Sequence, residues 1–363
     1  MYQVRNHLAS PRLHFPATYS IRAAGRRLDP RRGGRELRRP VRRTLPVPGV
    51  AVVDGDVLID LSRFAQIEYN AEHEKVVVGA GLRWRDVYDY LDPYGVTVVG
   101  GKGLDAGRYG LSCDNVINYN VVLADGSTVN ANEYSHRDLF WALKGGGNHF
   151  GLVTSFTLKT YPLPPQIWGG TRVIAWDRLD DVLDAMLEYE TSGSPDELAS
   201  VNIDIGATNE TIALTLVYLE PVDEGKKTPA ALSVFDRFEE STTMDTTGIK
   251  TLTGLMSEFP SSPPIPRRSR KAALPGNALG LEPDAAADKT MRVAGDALYA
   301  EIEAVAKQHD GRLRYLSMND ANEGQPVIAS YGDDNVRRMR EVREHYDPHG
   351  VFDRLLAGAF KLP

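Results

Sequence analysis

The sequence is poor in the residues that form covalent cross-links and cysteine metal sites. Among its 363 residues there is one cysteine, Cys113, which excludes an internal disulfide and a zinc site built from several cysteines. No apolar run is long enough to cross a membrane, and the N-terminus lacks the apolar core of a signal peptide. These absences predict a soluble chain with no membrane partner.

An excess of positive charge is also missing. The formal net charge is −7, which argues against a nucleic acid as the main partner. The hydrophobic content of 42% and the charged content of 25% are ordinary for a globular protein. A chain of this length exceeds one ordinary core, so we expect two or three domains or subdomains.

Two common nucleotide-binding motifs are incomplete or absent. The stretch Gly79-Ala80-Gly81-Leu82-Arg83-Trp84 follows a predicted strand but lacks the third glycine of G-x-G-x-x-G. Trp84 would obstruct the close helix–strand packing which that glycine permits. A nicotinamide-dependent dehydrogenase of the Rossmann class is therefore an alternative that the sequence disfavours. The P-loop pattern is absent.

Metal and nucleophile motifs are equally weak. His345 and His349 are four residues apart, but Pro348 lies between them and breaks the helix that would align them, so we predict no metal site. The stretch Gly110–Asp114 resembles a nucleophile elbow without its second glycine. We interpret Cys113 as a small buried residue rather than a nucleophile.

The first 45 residues differ from the rest of the chain. The stretch RRLDPRRGGRELRRPVRR is rich in arginine and follows no steady period of 2 or 3.6 residues. We therefore predict disorder over 1–45. The alternatives are a basic arm for an acidic partner, an organelle-targeting segment, and sequence outside the natural reading frame of the gene.

Beyond this segment, strands and helices alternate in an α+β pattern. Strands are predicted over 75–81, 116–132 (a hairpin turning at Asp125-Gly126), 151–164 and 211–220, and helices over 83–95, 136–145, 177–191, 289–309 and 333–346. A Pro/Ser/Arg-rich stretch, 257–271, is predicted to be a loop or linker.

Glycine turns joined to strands recur in the first half of the chain. They occupy 79–81, 100–103, 107–110 and 145–151, the last within WALKGGGNHFGLVT. Backbone N–H groups in such turns can cradle a phosphate or pyrophosphate without help from side chains. One such turn is ordinary, but four in one region favour a nucleotide-type cofactor.

The residues around two of these turns resemble a known family. GRYGLSCDNVINYNVVLADGSTVNAN (107–132), followed by DLFWALKGGGNHFGLVTSFTLKTYP (138–162), resembles the PCMH-type FAD-binding domain of the vanillyl-alcohol oxidase/p-cresol methylhydroxylase family. The stretch 329–352 resembles the berberine-bridge-type C-terminal segment of fungal FAD-linked oxidoreductases. Shorter similarities, including 276–283, bring the resemblance to about two-thirds of the chain.

The resemblance implies a fold, a cofactor and a reaction. The fold class is α+β, with an FAD-binding domain over 46–165 and a substrate domain with an antiparallel sheet over 166–310. A berberine-bridge-type segment over 311–363 completes the chain. The implied reaction oxidises a small alcohol, sugar or secondary metabolite, with hydride transfer to FAD and electrons then passing to O₂.

The resemblance also assigns cofactor-facing residues. Two groups are implied, one before and within the 107–132 match and the other in the glycine-triplet stretch. They are Gly100, Gly101, Tyr109, Gly110, Asp114 and Asn115, and Gly147, Phe150, Gly151, Leu152 and Val153. No motif identifies a catalytic base.

Several features depart from the family pattern. RRPVRRTLPVPG (38–49) carries no histidine where many members attach FAD covalently, which predicts a non-covalent cofactor. The first subdomain is incomplete, and KGLDA (102–106) is short for the segment that contacts the pyrophosphate. YLSMNDA (315–321) stands where the family has Y-x-N-Y-x-D. The alternative is therefore a catalytically impaired remnant, or a chain altered by mis-splicing at 1–45 and 257–271.

Overall fold

The computed structural model describes residues 2–4, 21–23, 57–59, 61–100, 106–191, 196–205, 210–222, 227–258, 314–319, 321, 325–352 and 360–363, with isolated positions between 293 and 308. The strands are β1 (Tyr2–Val4), β2 (Ile21–Ala23), β3 (Val57–Ile59), β4 (Ile67–Asn70), β5 (Lys75–Gly79), β6 (Val96–Thr97), β7 (Val116–Val122), β8 (Thr128–Asn132), β9 (Leu152–Lys159), β10 (Tyr161–Pro162), β11 (Ile167–Ala175), β12 (Ala199–Ile205), β13 (Thr211–Tyr218), β14 (Thr242–Asp245) and β15 (Gly248–Lys250). The α-helices are α1 (Trp84–Leu91), α2 (Ala106–Tyr109), α3 (Arg137–Leu143), α4 (Leu179–Thr191), α5 (Leu252–Glu258), α6 (Val327–Ser330) and α7 (Asp333–Tyr346). The 3₁₀-helices cover Asp92–Tyr94, Trp176–Arg178 and Ala230–Ser241.

The first sheet has five strands in the order β4-β5-β9-β7-β8, and all neighbouring pairs are antiparallel. The predicted hairpin between β7 and β8 is confirmed, with Gly126 at φ 86° in its turn. The predicted strand 151–164 is interrupted at Thr160, because the chain leaves β9 there and pairs with β6 through β10. The α+β character predicted from the sequence is confirmed.

An antiparallel arrangement at β5 bears directly on the Rossmann alternative, which requires a parallel sheet. A Cβ atom on Gly79 would lie 2.1 Å from the Phe64 carbonyl oxygen, and one on Gly81 would lie 2.4 Å from the Leu61 carbonyl oxygen. Close backbone packing therefore accounts for both glycines. The alternative interpretation, a nicotinamide-binding Rossmann site at this strand, is therefore wrong.

Helix α1 follows β5, as the sequence predicts, and it ends in a 3₁₀ turn that Gly95 closes at φ 66°. Its buried residues are Val87, Tyr88 and Leu91. Helix α3 falls within the predicted 136–145, with Leu139 and Ala142 fully buried. Both helices pack against the first sheet in one hydrophobic core.

The C-terminal segment belongs to this same core. Val327 and Ile328 of α6, and Val336, Met339 and Val342 of α7, are buried in it. Tyr346, the last residue of α7, donates a hydrogen bond to the Asp138 carboxylate of α3 at 2.8 Å. The chain therefore passes through a second sheet and then returns to complete the first core.

The second sheet pairs its strands in the order β12-β13-β11-β14, and β15 pairs with another part of β11. Helix α4 and the 3₁₀-helix Ala230–Ser241 pack on it around Trp168, Phe235 and Phe238. The guanidinium of Arg172, 2% exposed, is paired with Asp236 at 3.1 Å and Asp245 at 3.0 Å. The antiparallel sheet predicted for the substrate domain is confirmed.

Strands β1 and β2 lie within 1–45 and pair with β3 in a small antiparallel sheet. The prediction of disorder is therefore corrected for these six residues, whose backbones are tied to β3. Of the predicted loop 257–271, Ser257 and Glu258 form the end of α5. The rest of that loop and the stretch 276–283 lie outside the described residues. Described positions within the predicted helix 289–309 are helical.

Candidate functional site

The glycine triplet 145–147 forms a tight turn in which each glycine has its own environment. Gly145 and Gly147 adopt positive φ angles, 93° and 67°, which L side chains rarely tolerate. A Cβ atom on Gly146 would lie 2.2 Å from the Ala142 carbonyl oxygen and 2.4 Å from the Phe150 ring. Gly147 is different, because its exposed backbone faces space in which the nearest atom is Met318 Cε, 3.8 Å away. The turn thus presents bare backbone at Gly147.

The residues that follow the triplet fix it to the sheet. Phe150 is fully buried, and a Cβ atom on Gly151 would lie 2.4 Å from Val121 Cγ1. Leu152 and Val153 begin β9 opposite β7, and both side chains are buried. The side chains of these implied site residues therefore pack in the core and pin the loop, so that only their backbone is available to a cofactor.

A second loop, residues 109–115, holds four of the other implied residues. Gly110 adopts φ 77°, and Leu111 N donates to the Asp114 carboxylate at 3.0 Å. The buried Asn115 amide donates to the carbonyl oxygens of Tyr109 and Leu111, both at 2.9 Å, and accepts from the Tyr161 hydroxyl. Asp114 and Asn115 therefore brace the loop from within.

Tyr109 forms one side of this second loop. Its ring is stacked on Tyr161, with centroids 3.7 Å apart and planes 13° apart. The Arg108 guanidinium carbon lies 5.3 Å from the Tyr109 ring centroid. These contacts orient the aromatic ring at the point where the loop begins.

Gly100 is held against helix α1 and the second loop. A Cβ atom there would lie 1.8 Å from the Tyr88 hydroxyl oxygen, so any side chain would collide with that ring. Ser112 Oγ donates to the Gly100 carbonyl at 2.6 Å. Gly101, the remaining implied residue, lies outside the described residues, as do 102–105.

Lys144 joins the two loops. Its ammonium lies 3.4 Å from the Asp114 carbonyl oxygen and 4.5 Å from the centre of the Phe140 ring. Burial lowers the Lys144 pKa, an effect that Asp114 opposes. Lys144 therefore links the residue before the triplet to Asp114 of the second loop, and sequence reasoning missed it although it directly precedes the triplet.

Two further observations concern a nucleophilic cysteine and a metal site. Burial raises the pKa of the half-buried Cys113 thiol, which disfavours a nucleophilic thiolate and agrees with the sequence prediction. Among the described residues, no three His, Cys, Asp or Glu side chains gather as a metal site would require. Nor does any helix in the described ranges have the length and apolar character to cross a membrane.

The C-terminal segment covers the triplet from two directions. The Tyr331 hydroxyl donates to the Gly145 carbonyl at 3.2 Å, and Met318 lies over Gly147. On the far side, the buried His149 ring hydrogen-bonds with the Phe360 carbonyl at 2.9 Å. None of these contacts was predicted, because they join residues about 170 to 210 positions apart in the chain.

The geometry fits a flavin nucleotide at the triplet. The N–H groups of Gly145 and Gly146 donate to the carbonyl oxygens of Leu143 and Ala142, so Gly147 is the triplet residue whose exposed backbone is offered to a ligand, and the neighbouring Lys144 ammonium complements an anionic group. The side chains of four other implied residues are not available to the cofactor, because they are buried or hydrogen-bonded within the protein: Asn115, Phe150, Leu152 and Val153. The fit therefore rests on backbone and Lys144.

The chain is similar to known FAD-linked proteins. Residues 43–132 match the family described as FAD binding domain. The bifunctional solanapyrone synthase of Alternaria solani is 29% identical over 387 residues, which cover 87% of this chain and 75% of that protein. An uncharacterized FAD-linked oxidoreductase of Arthroderma benhamiae is 37% identical over 170 residues, covering 42% of this chain and 34% of that protein.

Solved structures support the fold. The 6-hydroxy-D-nicotine oxidase of Arthrobacter nicotinovorans superposes with a TM-score of 0.65 at 17% identity, covering 86% of this chain and 84% of that chain. A berberine bridge enzyme variant gives a TM-score of 0.55 at 18% identity, covering 84% and 80%. The matched domain, the relatives and the shared fold identify FAD as the cofactor. The chain is therefore an FAD-dependent oxidoreductase by resemblance, with an FAD binding domain match over residues 43–132 and a fold shared with a berberine bridge enzyme.

Proposed function

We propose that this FAD-dependent oxidoreductase is an oxidase that acts on a carbon–hydrogen bond next to a heteroatom in a small organic molecule. The substrate is an alcohol, a sugar or a secondary metabolite, and O₂ is the final electron acceptor. FAD supplies the capacity to accept a hydride, which amino-acid side chains lack. The protein supplies binding, orientation and access.

The open glycine turn carries this proposal. Gly147 is exposed, and Met318 Cε, 3.8 Å away, is the nearest atom of the described residues to a Cβ position there, while Gly146, Phe150 and Gly151 are packed tightly behind it. A turn needed only to reverse the chain would not require an exposed backbone beside a partly buried ammonium. We infer that the turn at 145–147 and the loop at 109–115 line the cofactor from two sides, with Lys144 between them.

Five of the implied residues have a defined task in that arrangement. The backbone N–H groups of Gly147 and Gly110 bind the cofactor's anionic oxygens, since both glycines are exposed and hold positive φ angles. Lys144 adds a positive charge. Asp114 and Asn115 hold the second loop in shape. Tyr109 closes that loop on Tyr161.

The proteins that share the fold support oxidase chemistry on small molecules. They include a xylooligosaccharide oxidase of Myceliophthora thermophila, solved with xylobiose, with a TM-score of 0.56 at 19% identity over 80% of this chain and 79% of that chain. Relatives of similar sequence are fungal and include proteins named FAD-dependent monooxygenases. A role in fungal secondary metabolism fits this set.

An absorption spectrum of the purified chain tests the proposal. We expect a flavin spectrum near one FAD per chain, and release of that flavin into the supernatant on acid precipitation, because the stretch 38–49 has no histidine to bond it covalently. Hydrogen peroxide release on a panel of alcohols and sugars then tests the oxidase reaction. Flavin reduction by substrate with neither peroxide release nor oxygen consumption would exclude O₂ as the acceptor while retaining the oxidoreductase.

A second candidate is a chain that keeps the fold without redox activity. It is favoured by the second loop, where the Asn115 amide is consumed by Tyr109 and Leu111 within the protein. It is also favoured by the short connection between Gly100 and α2, which has only five residues where the family has a longer segment that contacts the pyrophosphate. A colourless protein that free FAD does not reconstitute would support this candidate and exclude the first.

A further inference from the structure

Tyr331 reaches the glycine triplet from the opposite end of the chain. It is half-buried, and its hydroxyl donates to the Gly145 carbonyl at 3.2 Å across 186 residues of sequence. Its ring atoms also lie 3.8 Å from the position of a Cβ on Gly145. The ring therefore supports the turn beside its positive-φ glycine, and the hydroxyl fixes the orientation of that peptide group.

Tyr331 is itself held on its own side. It follows α6 directly, and its carbonyl oxygen accepts a hydrogen bond from the Asn335 side-chain amide of α7 at 2.8 Å. Its ring is stacked with Tyr315, the centroids lying 5.7 Å apart and the planes at 22°. A residue anchored in this way can transmit the position of the C-terminal segment to the triplet.

The hydroxyl remains a donor across the physiological range. Burial, with smaller contributions from Tyr315 and Cys113, raises the pKa of Tyr331 to about 12. The phenol is therefore protonated at neutral pH. The Gly145 carbonyl receives the bond under all ordinary conditions.

We propose that Tyr331 is a positioning residue for FAD, which holds the Gly145 peptide so that the Gly147 backbone stays open to the cofactor. A run of three glycines has more backbone freedom than any other triplet, and binding a ligand requires that this freedom be lost. A hydrogen bond that removes this backbone freedom before the ligand binds increases affinity without contacting the ligand. The inference rests on the proposed cofactor site at the triplet.

Tyr331→Phe tests the role because it keeps the ring and the stack on Tyr315 but removes the hydroxyl. Tyr346→Phe is the matched control, since it also removes a tyrosine hydrogen bond from the C-terminal segment, to Asp138 rather than to the triplet. We expect Tyr331→Phe to raise the Kd for FAD about threefold to tenfold, the effect of one neutral hydrogen bond. Tyr346→Phe should leave that Kd unchanged.

Hydrogen exchange provides a readout independent of enzyme activity. In the apo protein, amides of 145–149 should exchange faster in Tyr331→Phe than in wild type or Tyr346→Phe. Equal rises of Kd in both variants would overturn the inference, because they would report general destabilisation. A wild-type Kd in Tyr331→Phe would also overturn it while leaving the cofactor site intact. A wild-type chain that binds no FAD would overturn the proposed function as well.

Discussion

The Lys144 ammonium lies 3.4 Å from the Asp114 carbonyl oxygen, and this contact joins the glycine-triplet turn to the loop at 109–115. The two loops lie 30 residues apart in sequence and flank opposite ends of the hairpin β7–β8 and helix α3. The pairing of β7 with β9 sets Val116 against Leu158 and Val122 against Leu152, so the loop and the turn join opposite ends of this strand pair. Lys144 directly follows α3 and makes the contact with Asp114.

Replacing Lys144 should weaken FAD binding. Lys144→Met keeps the apolar stem but removes the charge, and the loss of one charge-assisted contact to an anionic group is about 1.5–3 kcal/mol when it is protected from solvent. Because Lys144 is only half-buried, we expect the lower end, a Kd rise of about tenfold, measured by titrating apo protein with FAD. As pH rises, the FAD affinity of the wild type should fall when Lys144 loses its proton. Because burial lowers the Lys144 pKa, this fall should begin at a lower pH than it would for an exposed lysine.

Lys159→Met is the control for that change. Lys159 is exposed at the end of β9 and is a like-charged neighbour of Lys144. Its removal should leave FAD affinity within about twofold of wild type. Equal losses in the two variants would point to a diffuse field of positive charge and contradict a specific role for Lys144.

Gly147→Ala should separate backbone strain from cofactor access. A Cβ at φ 67° costs about 1–2 kcal/mol of folding free energy, and Gly95, at φ 66° with open space around it, carries the same cost. Urea unfolding should therefore show equal destabilisation in Gly147→Ala and Gly95→Ala. FAD affinity should fall only in Gly147→Ala, because its methyl group occupies the open face. Unchanged affinity there would show that the cofactor does not approach Gly147.

The sequence predicts local elements well where the pattern itself carries the signal. The predicted hairpin over 116–132 and the predicted helices over 83–95 and 333–346 correspond to β7–β8, α1 and α7 of the structure. Their periodicity and turn residues act within a few positions, so no tertiary information is needed. The same reasoning does not detect the break at Thr160, which depends on pairing between β6 and β10.

The candidate site is only partly predictable for the same reason. The glycine turns at 107–110 and 145–151 are visible in the sequence, but the reason for each glycine is not. Gly151 is required by the close approach of Val121, whereas a Cβ on Gly147 would meet only Met318 among the described residues, yet the sequence shows the same residue at both positions. The contact between Tyr331 and Gly145 spans 186 residues, so only the folded chain reveals it.

Gly151→Ala should destabilise the fold without any strain in φ. Its Cβ would lie 2.4 Å from Val121 Cγ1 and 3.0 Å from the Val122 carbonyl oxygen, so β7 and the start of β9 must separate. Overpacking of this kind costs about 1–3 kcal/mol. Gly248→Ala, where nothing lies within 4 Å, should be neutral. Urea midpoints of the two variants measure the difference, and equal midpoints would contradict the tight pairing seen here.

The Asp138–Tyr346 hydrogen bond should make the free energy of unfolding depend on pH in the acidic range. Burial raises the Asp138 pKa, but the bond from Tyr346 and the backbone N–H of Leu139 outweigh it, and the pKa falls below its usual value of 3.8. A depressed carboxyl pKa contributes stability that is present above the unfolded-state pKa and is lost as pH falls through the folded-state value. We therefore expect the free energy of unfolding to decline below about pH 4, by about 1 kcal/mol from this pair.

Tyr346→Phe identifies the source of that decline. The variant should lose about 1 kcal/mol near pH 7, where the bond is intact in the wild type, and less near pH 2, where Asp138 is protonated in both proteins. Urea unfolding at the two pH values measures the difference. Arg338→Met is the control, because it removes a contact of α7 with Trp141 of α3 that has no titrating carboxylate. A constant difference between wild type and Tyr346→Phe at both pH values would show that the hydroxyl does not depress the Asp138 pKa.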